Sequence, residues 1–538
     1  MSVSSFDQLV TSRAVKSPRA PALLHKNELL NYDELASQVN SAAKGLLENG
    51  LSCQQRVAIY LPKQFEAVIS LFAVCLAGGA FVPVNPLLKS QQVAYIIDNC
   101  QASVFVTSFS RYKQLKTLLK SCQSIQTIIL TGCKAELCPV DCLRWEDFIA
   151  QGLTSHLPTA KNDPTKMAAI LYTSGSTGQP KGVVLSHINL VEGAKSVAQY
   201  LNNNESDRLL AVLPFSFDYG LSQLTTAFLC GASVVLMEYL LPRDVIAAVS
   251  RFQITGLAAV PPLWMQLSEL EWPQQAIDRL RYFTNSGGAM PSSTLQKLRQ
   301  ALPNSEPFLM YGLTEAFRSS YLDPKEIDCR ANSIGKAIPN AELFVLNPQG
   351  ELCEPEEAGE LVHKGIHVAL GYWQNAVKTK EKFRPLPKAL QQKYGKEIAV
   401  WSGDSVKLDI DGFLYFIGRN DDMIKSSGYR ISPAELENVI QDQPQVKEVA
   451  AIGIAHVRLG QAILLVITPT ATSLFDEKEL LKYCKNKLPN FMQPQFIELS
   501  DSLPRNPNGK INRPLLSERY QDLASKTLKA RAQVPRKK

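Results

Sequence analysis

Between about residues 55 and 345, short apolar runs rich in β-formers alternate with segments of helical spacing. "RVAIYLP" precedes the amphipathic "KQFEAVISLFAVCLAGG", and "SVFVTS" precedes "RYKQLKTLLKSC". "LLAVLP", "ASVVLME", "ITGLAAV" and "LRYFTNSGG" follow the same rule. This alternation predicts an α/β protein with parallel sheets covered on both faces, and ligands at the carboxyl ends of the strands. From "NAELFVLNPQGELCEPEEAGELVHKG" onward, short strands joined by Gly- and Pro-rich turns predict a β-rich subdomain at about 340–420. A compact α+β unit follows: helix "SPAELENVIQDQ", strands "VKEVAAIGIA" and "QAILLVITP", and helix "EKELLKYCKNKL". Ser432, Pro433 and Glu435 form a strong helix start, with an N-cap hydroxyl, a first-position Pro and an acid in the first turn.

Composition narrows the class. The chain has 538 residues, 45% of them apolar, too many for one hydrophobic core. No run approaches ~18 apolar residues, so no membrane span is expected. The N-terminus lacks the order of a signal peptide, which predicts a cytoplasmic protein. The net charge of +7 is dispersed except in the basic tail, and nothing interleaves it with aromatics, so no nucleic-acid partner is expected. Eleven Cys in that compartment read as reduced thiols. The spacing of Cys133, Cys138 and Cys142 does not match a zinc knuckle.

The stretch carrying the most chemistry is "TSGSTGQPKG", residues 173–182, directly after an apolar strand. Gly175 and Gly178 let the backbone approach a ligand, Thr173, Ser174, Ser176 and Thr177 bring hydroxyls, and Lys181 brings a cation. Such a loop makes an anion-binding concavity. A kinase or ATPase P-loop is the rival reading. It requires a Ser or Thr after the Lys and a helix beyond, whereas here Gly182 and the strand-like "VVLSH" follow.

Eight motifs in order give the loop its context. "LYTSGSTGQPKGVVLSH" is joined by "LNYDEL" (30–35), "LAGGAFVPVNP" (76–86), "YGLTEA" (311–316), "GELVHKG" (359–365), "WSGD" (401–404), "GRNDDMIKSSGYRISPAELE" (418–437) and "NPNGKI" (506–511). This series resembles the AMP-forming adenylating enzymes, a superfamily of acyl-CoA synthetases, nonribosomal-peptide adenylation domains and beetle luciferases. The resemblance implies a large N-terminal core, residues 1–420, of two doubly wound sheets plus the β-rich subdomain. It also implies a mobile α+β C-terminal domain, 421–538, turning on a hinge at Asp421. It implies ATP and Mg²⁺, a carboxylic acid activated as acyl-AMP with release of pyrophosphate, and transfer to a thiol. The phosphate loop would run from Thr173 to Lys181. Thr314 and Glu315 would meet the α-phosphate, with Glu315 on the metal, and Tyr311 would stack near adenine. Asp404 would accept from the ribose hydroxyls beside Arg419, and Lys510 would bridge the carboxylate and the α-phosphate. In the second half-reaction "KSSGYR", Lys425 to Arg430, would replace Lys510; the chain reads "IKSSG" where the family frequently reads "VKIRG".

For the acid, resemblance to amino-acid-activating members gives a pocket of Phe217, Asp218, Tyr219, Ser222, Thr284, Ser286, Met310, Arg318 and Ser319. Asp218 would pair with an α-ammonium; its alternative is a helix N-cap. Met310 and Tyr219 suggest a small, mostly apolar side chain. Arg318 either selects an acidic group or turns to solvent. "FDYGL" with "YGLTEAFRSSYL" resembles freestanding prolyl–carrier-protein ligases and a set of bacterial acyl-CoA ligases. The expectation is activation of an amino acid, L-proline first, for a separate carrier protein. The alternative is an acyl-CoA ligase for a medium-chain or aryl acid. No carrier domain is expected after Lys510.

Overall fold

The computed structural model describes residues 3–153, 163–173, 180–330, 332–419, 422–426, 429–456, 459–472, 475–488, 492–507 and 509–521. Two large sheets dominate the N-terminal part. The first has eight strands, with Met167–Thr173, Ala80–Pro83, Arg56–Tyr60, Ala102–Ser108, Thr127–Thr131 and Leu143–Arg144 running parallel. Antiparallel Lys181–Ser186 and Gly371–Tyr372 close its other edge. The second has nine strands, parallel from Pro21–His25 through Ser233–Leu236, Arg208–Ala211, Gly256–Ala259 and Tyr282–Asn285 to Glu306–Tyr311. Their central strands are buried along almost their whole length, which is why they read as unbroken apolar runs.

Helix Phe65–Leu76 departs from the expected amphipathic pattern: every residue from Ala67 to Cys75 is buried. It lies between the sheets, where Phe72 meets Phe6 face to face (4.4 Å) and Phe228 of helix Asp218–Cys230 edge-on (5.4 Å). One continuous core therefore joins both sheets. A helix enclosed on all sides has no polar face to keep. The strand Pro21–His25, absent from the expected elements, ties the N-terminal segment into the second sheet.

The β-rich part is an antiparallel sheet of Ala341–Leu346, Gly359–Gly365, Ile398–Leu408, Phe383–Pro385 and Leu414–Arg419. The C-terminal part is a separate sheet built on the long pair Val446–His456 and Gly460–Pro469, with one buried cluster on each face. Helix Pro433–Gln441 begins as its sequence implies, with Ser432 Oγ accepting from the Glu435 amide at 3.2 Å. The architecture is thus a large α/β domain of parallel sheets with a small C-terminal domain. Among the described residues, no helix is long and apolar enough to cross a membrane.

Candidate active site

The residues expected to meet the nucleotide lie where strands of the two large sheets and the β-rich sheet converge. Asp404 and Arg419 sit opposite one another on adjacent antiparallel strands, and Arg419 Nε donates to Asp404 Oδ1 at 2.8 Å. Tyr311, at the carboxyl end of its strand, donates its phenol to Asp404 Oδ2 at 2.5 Å. Burial raises the Tyr311 pKa well above its ordinary value, and the Asp404 charge adds to this, so the phenol stays a donor. Asp404 is thereby held in one orientation by two donors.

The chain then turns through Thr314–Ala316. Glu315 Oε1 accepts from the Tyr372 hydroxyl at 2.6 Å, a partner that no sequence motif marks. Thr314 Oγ1 donates to Asp218 Oδ1 at 3.1 Å. Thr173 and Lys181 are opposed on paired strands. Ser174, Gly175, Ser176, Thr177 and Gly178 lie outside the described residues, as does Asp421. The Lys181 ammonium lies 5.9 Å from the Tyr372 ring centre. Its pKa is lowered by burial and by Lys378, with Glu315 opposing. The Glu315 carboxylate is a hard oxygen donor of the kind that Mg²⁺ takes.

Lys510 comes from the C-terminal domain. Its turn is closed by Gly509 N–H to Asn506 O at 2.9 Å and by Asn506 N–H to Lys510 O at 2.8 Å. Gly509 has φ +80°, a conformation that favours glycine. The turn tip rests on the large domain: methyl groups added at Gly509 and Gly287 would stand 3.7 Å from Val260 Cγ2 and 3.9 Å from Lys510 Cε. The residue is exposed at its turn, and its side chain reaches the large domain beside Gly287. There desolvation and Arg419 lower its pKa, and Asp404, Asp218 and Glu315 oppose the shift. Two of these groups come from one sheet, Asp218 from the start of a helix and Glu315 from a turn.

The acid end differs from expectation at Asp218. The N-cap position of helix Asp218–Cys230 belongs to Phe217, and no side chain caps it. Asp218 instead forms an ion pair with Arg318 at 2.8 Å, the side chains being 4% and 2% exposed. Arg318 does not turn to solvent, and the cation that Asp218 requires is supplied from within the chain. Arg318 also donates from Nη1 to Phe317 O at 3.0 Å and lies 4.7 Å over the Tyr219 ring. Phe317 has φ +57° and ψ −54°, with Arg318 N–H to Ala316 O at 2.6 Å. This is the rare, strained form of γ-turn, of a kind that costs about 1–3 kcal/mol. Packing holds it in place: a methyl at Gly193 would come within 2.3 Å of the buried Phe317 ring.

Tyr219, Ser222, Thr284, Met310 and Arg318 line one cavity, and Gln223, Thr226, Tyr282 and Val197, which sequence reasoning missed, line it with them. The space is tight, about 10 Å³, room for roughly one water. Its wall is more polar than Met310 and Tyr219 alone imply: Tyr219 and Thr284 share a 2.5 Å hydrogen bond, and Ser222 and Thr226 a 3.5 Å one. Phe217 stacks edge-on beside Tyr219 at 6.0 Å, and Ser286 is buried nearby on the segment after Asn285. Ser319 backs the site through a 2.9 Å contact with His363 Nδ1. His363 and its neighbour His367 are fully buried, which pushes their pKa values down to about 3 and about 4.

Set beside known proteins, this arrangement has a class. Residues 10–373 match the AMP-binding enzyme family and residues 435–510 its C-terminal domain. The chain belongs to the AMP-binding enzyme family and is an AMP-forming ligase. It is 30% identical over 515 residues to tyrocidine synthase 3 of Brevibacillus parabrevis, covering 95% of this chain and 8% of that protein. It is also 30% identical over 527 residues to tyrocidine synthase 2 of the same organism, covering 96% of this chain and 14% of that one. The chain therefore spans a small fraction of these relatives. Among solved structures it resembles o-succinylbenzoate CoA synthetase (MenE) from Bacillus subtilis with an acyl-adenylate intermediate. That likeness has 25% identity and a TM-score of 0.81, covering 95% of this chain and 97% of that one. It shares the fold of ATP-bound MatB from Rhodopseudomonas palustris at 23% identity and a TM-score of 0.84, covering 96% and 99% of the two chains.

Proposed function

We propose that this ligase activates a small carboxylic acid as its acyl adenylate and passes the acyl group to the thiol of a carrier protein or CoA. The observation that carries this reading is the Lys510 turn seated on the large domain beside Gly287 and Val260, where the charges of Arg419, Asp404, Asp218 and Glu315 act on its ammonium. In adenylation the acid's oxygen attacks the α-phosphorus and the bond to pyrophosphate breaks. Both reactants are anionic, so a fixed ammonium between them lowers repulsion and sets their alignment. Tyr311 and Arg419 orient Asp404 to accept from ribose hydroxyls. Glu315, steadied by Tyr372, would hold Mg²⁺, whose charge offsets that of the phosphates. In the second step the thiol attacks the acyl carbon and AMP leaves. Rotation about Asp421 would withdraw Lys510 and bring in the segment from Lys425 to Arg430.

The Asp218–Arg318 pair favours an acid without an α-ammonium, because an incoming ammonium would have to share Asp218 with a guanidinium already seated there. The second reading is amino-acid activation, L-proline first. It keeps the support of Phe217–Asp218 at the position that amino-acid-activating members use. ATP–pyrophosphate exchange across amino acids, alkyl acids, oxo acids and aryl acids tests both. Exchange is expected with at least one acid, and Lys510→Ala should lower it about 10²–10³-fold without changing the thermal midpoint. Release of ADP or inorganic phosphate in place of pyrophosphate would end this reading.

A further inference from the structure

We propose that Arg318 selects the substrate, and that the acid it admits is short and carries a hydrogen-bond acceptor, a carbonyl or second carboxylate, at the end remote from the carboxyl group being activated. The inference rests on the adenylating role proposed above and concerns the far end of the same site. A guanidinium has five N–H donors. Arg318 uses Nη1 on Asp218 and on Phe317 O, while Nε and Nη2 have no hydrogen-bond partner among the described residues. The side chain is 2% exposed and lines the cavity, so bulk water does not serve these donors. Burying donors without partners is costly, and natural sites keep such groups where something else completes them.

The surroundings fix what that partner is. Asp218 already receives Arg318 and Thr314, and so does not satisfy the remaining donors. A cationic group would meet the guanidinium's own charge. A plain alkyl tail would leave Nε and Nη2 as unpaired as before. An oxygen acceptor matches both donors and suits the hydroxyls of Ser222 and Thr284 in the same wall. The tightness of the cavity, with room for roughly one water, limits what seats against Arg318 to a single small acceptor group. The backbone is also committed to this placement: the strained turn at Phe317, locked by its ring against Gly193, is what directs Arg318 inward.

The test measures ATP–pyrophosphate exchange with length-matched probes: pentanoate, 4-oxopentanoate, pentanedioate and L-proline. The wild-type chain should prefer the oxo acid or the diacid over pentanoate by about 10²-fold or more in kcat/KM, as expected where a buried donor pair loses its acceptor. The double variant Asp218→Asn/Arg318→Met, which removes both charges together, should bring that ratio to within about 3-fold. Arg318→Lys, which keeps the charge and loses the fork, should give an intermediate ratio. Equal use of pentanoate and the oxo acid by the wild type, or exchange with proline alone, would overturn the inference while leaving adenylation standing. A preference that survives Arg318→Lys undiminished would also overturn it. Silence across the panel and the broader acid set would instead remove the adenylating role, and the inference with it.

Discussion

Two Asp–Arg pairs each hold a 2.8 Å contact: Asp404–Arg419, proposed for the nucleotide end, and Asp218–Arg318, proposed for the acid end. They differ in burial. Arg419 is 57% exposed and Asp404 8%, whereas Arg318 and Asp218 are 2% and 4% exposed. The open pair is an orienting device whose arginine water can still solvate, and its net worth to stability is small. The closed pair is one that the fold cannot dispense with singly, because removing either partner strands a charge where water does not reach. Equal geometry therefore carries unequal consequence, and the medium decides it.

The comparison is broken most directly at Asp218. Asp218→Ala should destabilise the large domain by about 3–5 kcal/mol in urea unfolding, since Arg318 stays behind uncompensated. A variant as stable as wild type would mean that the two pairs are equivalent after all.

Acid titration sharpens the contrast through His363 and His367, which lie behind Ser319 and Ser196. Their folded pKa values of about 3 and about 4 lie below the unfolded 6.5, so the fold keeps them neutral while the unfolded chain takes up protons. Their contribution is whole above pH 6.5 and is lost as pH falls, at up to about 1.4 kcal/mol per pH unit for each histidine until the folded values are reached. Urea midpoints measured from pH 7 to pH 4 should show this slope, and His363→Asn should remove about one histidine's share. An unchanged slope in that variant would place the acid sensitivity elsewhere.

The smallest effect is expected at the open pair. Arg419→Ala should change stability by less than about 1 kcal/mol yet raise the KM for ATP, because Asp404 loses one of its two orienting donors. A large loss of stability there would erase the distinction between the pairs.

How much the sequence disclosed follows the same divide. Asp404, Arg419, Tyr311 and Lys510 could be named because each sits in a short motif, and the structure shows Tyr311 and Arg419 both donating to Asp404. Tyr372, which positions Glu315, was not legible, since its role arises from a sheet edge that pairs Gly371–Tyr372 with Lys181–Ser186. At the acid end, Asp218 was marked as needing a cation, but the sequence did not say that Arg318 supplies it. That depends on one strained peptide at Phe317, and local residue preferences argue against such a conformation. The alternation of apolar runs disclosed the parallel sheets. It misjudged helix Phe65–Leu76, whose enclosure depends on the second sheet lying across it.

The contact between Gly193 and the Phe317 ring has a consequence for inheritance and for design. Residue 193 is not among the residues that line the cavity and stands in the middle of a helix, yet the space it leaves determines whether the neighbouring turn can point an arginine inward. Substrate choice in this chain can thus drift, or be redirected, by a change that leaves every wall residue untouched. Any scheme that assigns the acid from the wall residues alone would misread such a variant as unchanged.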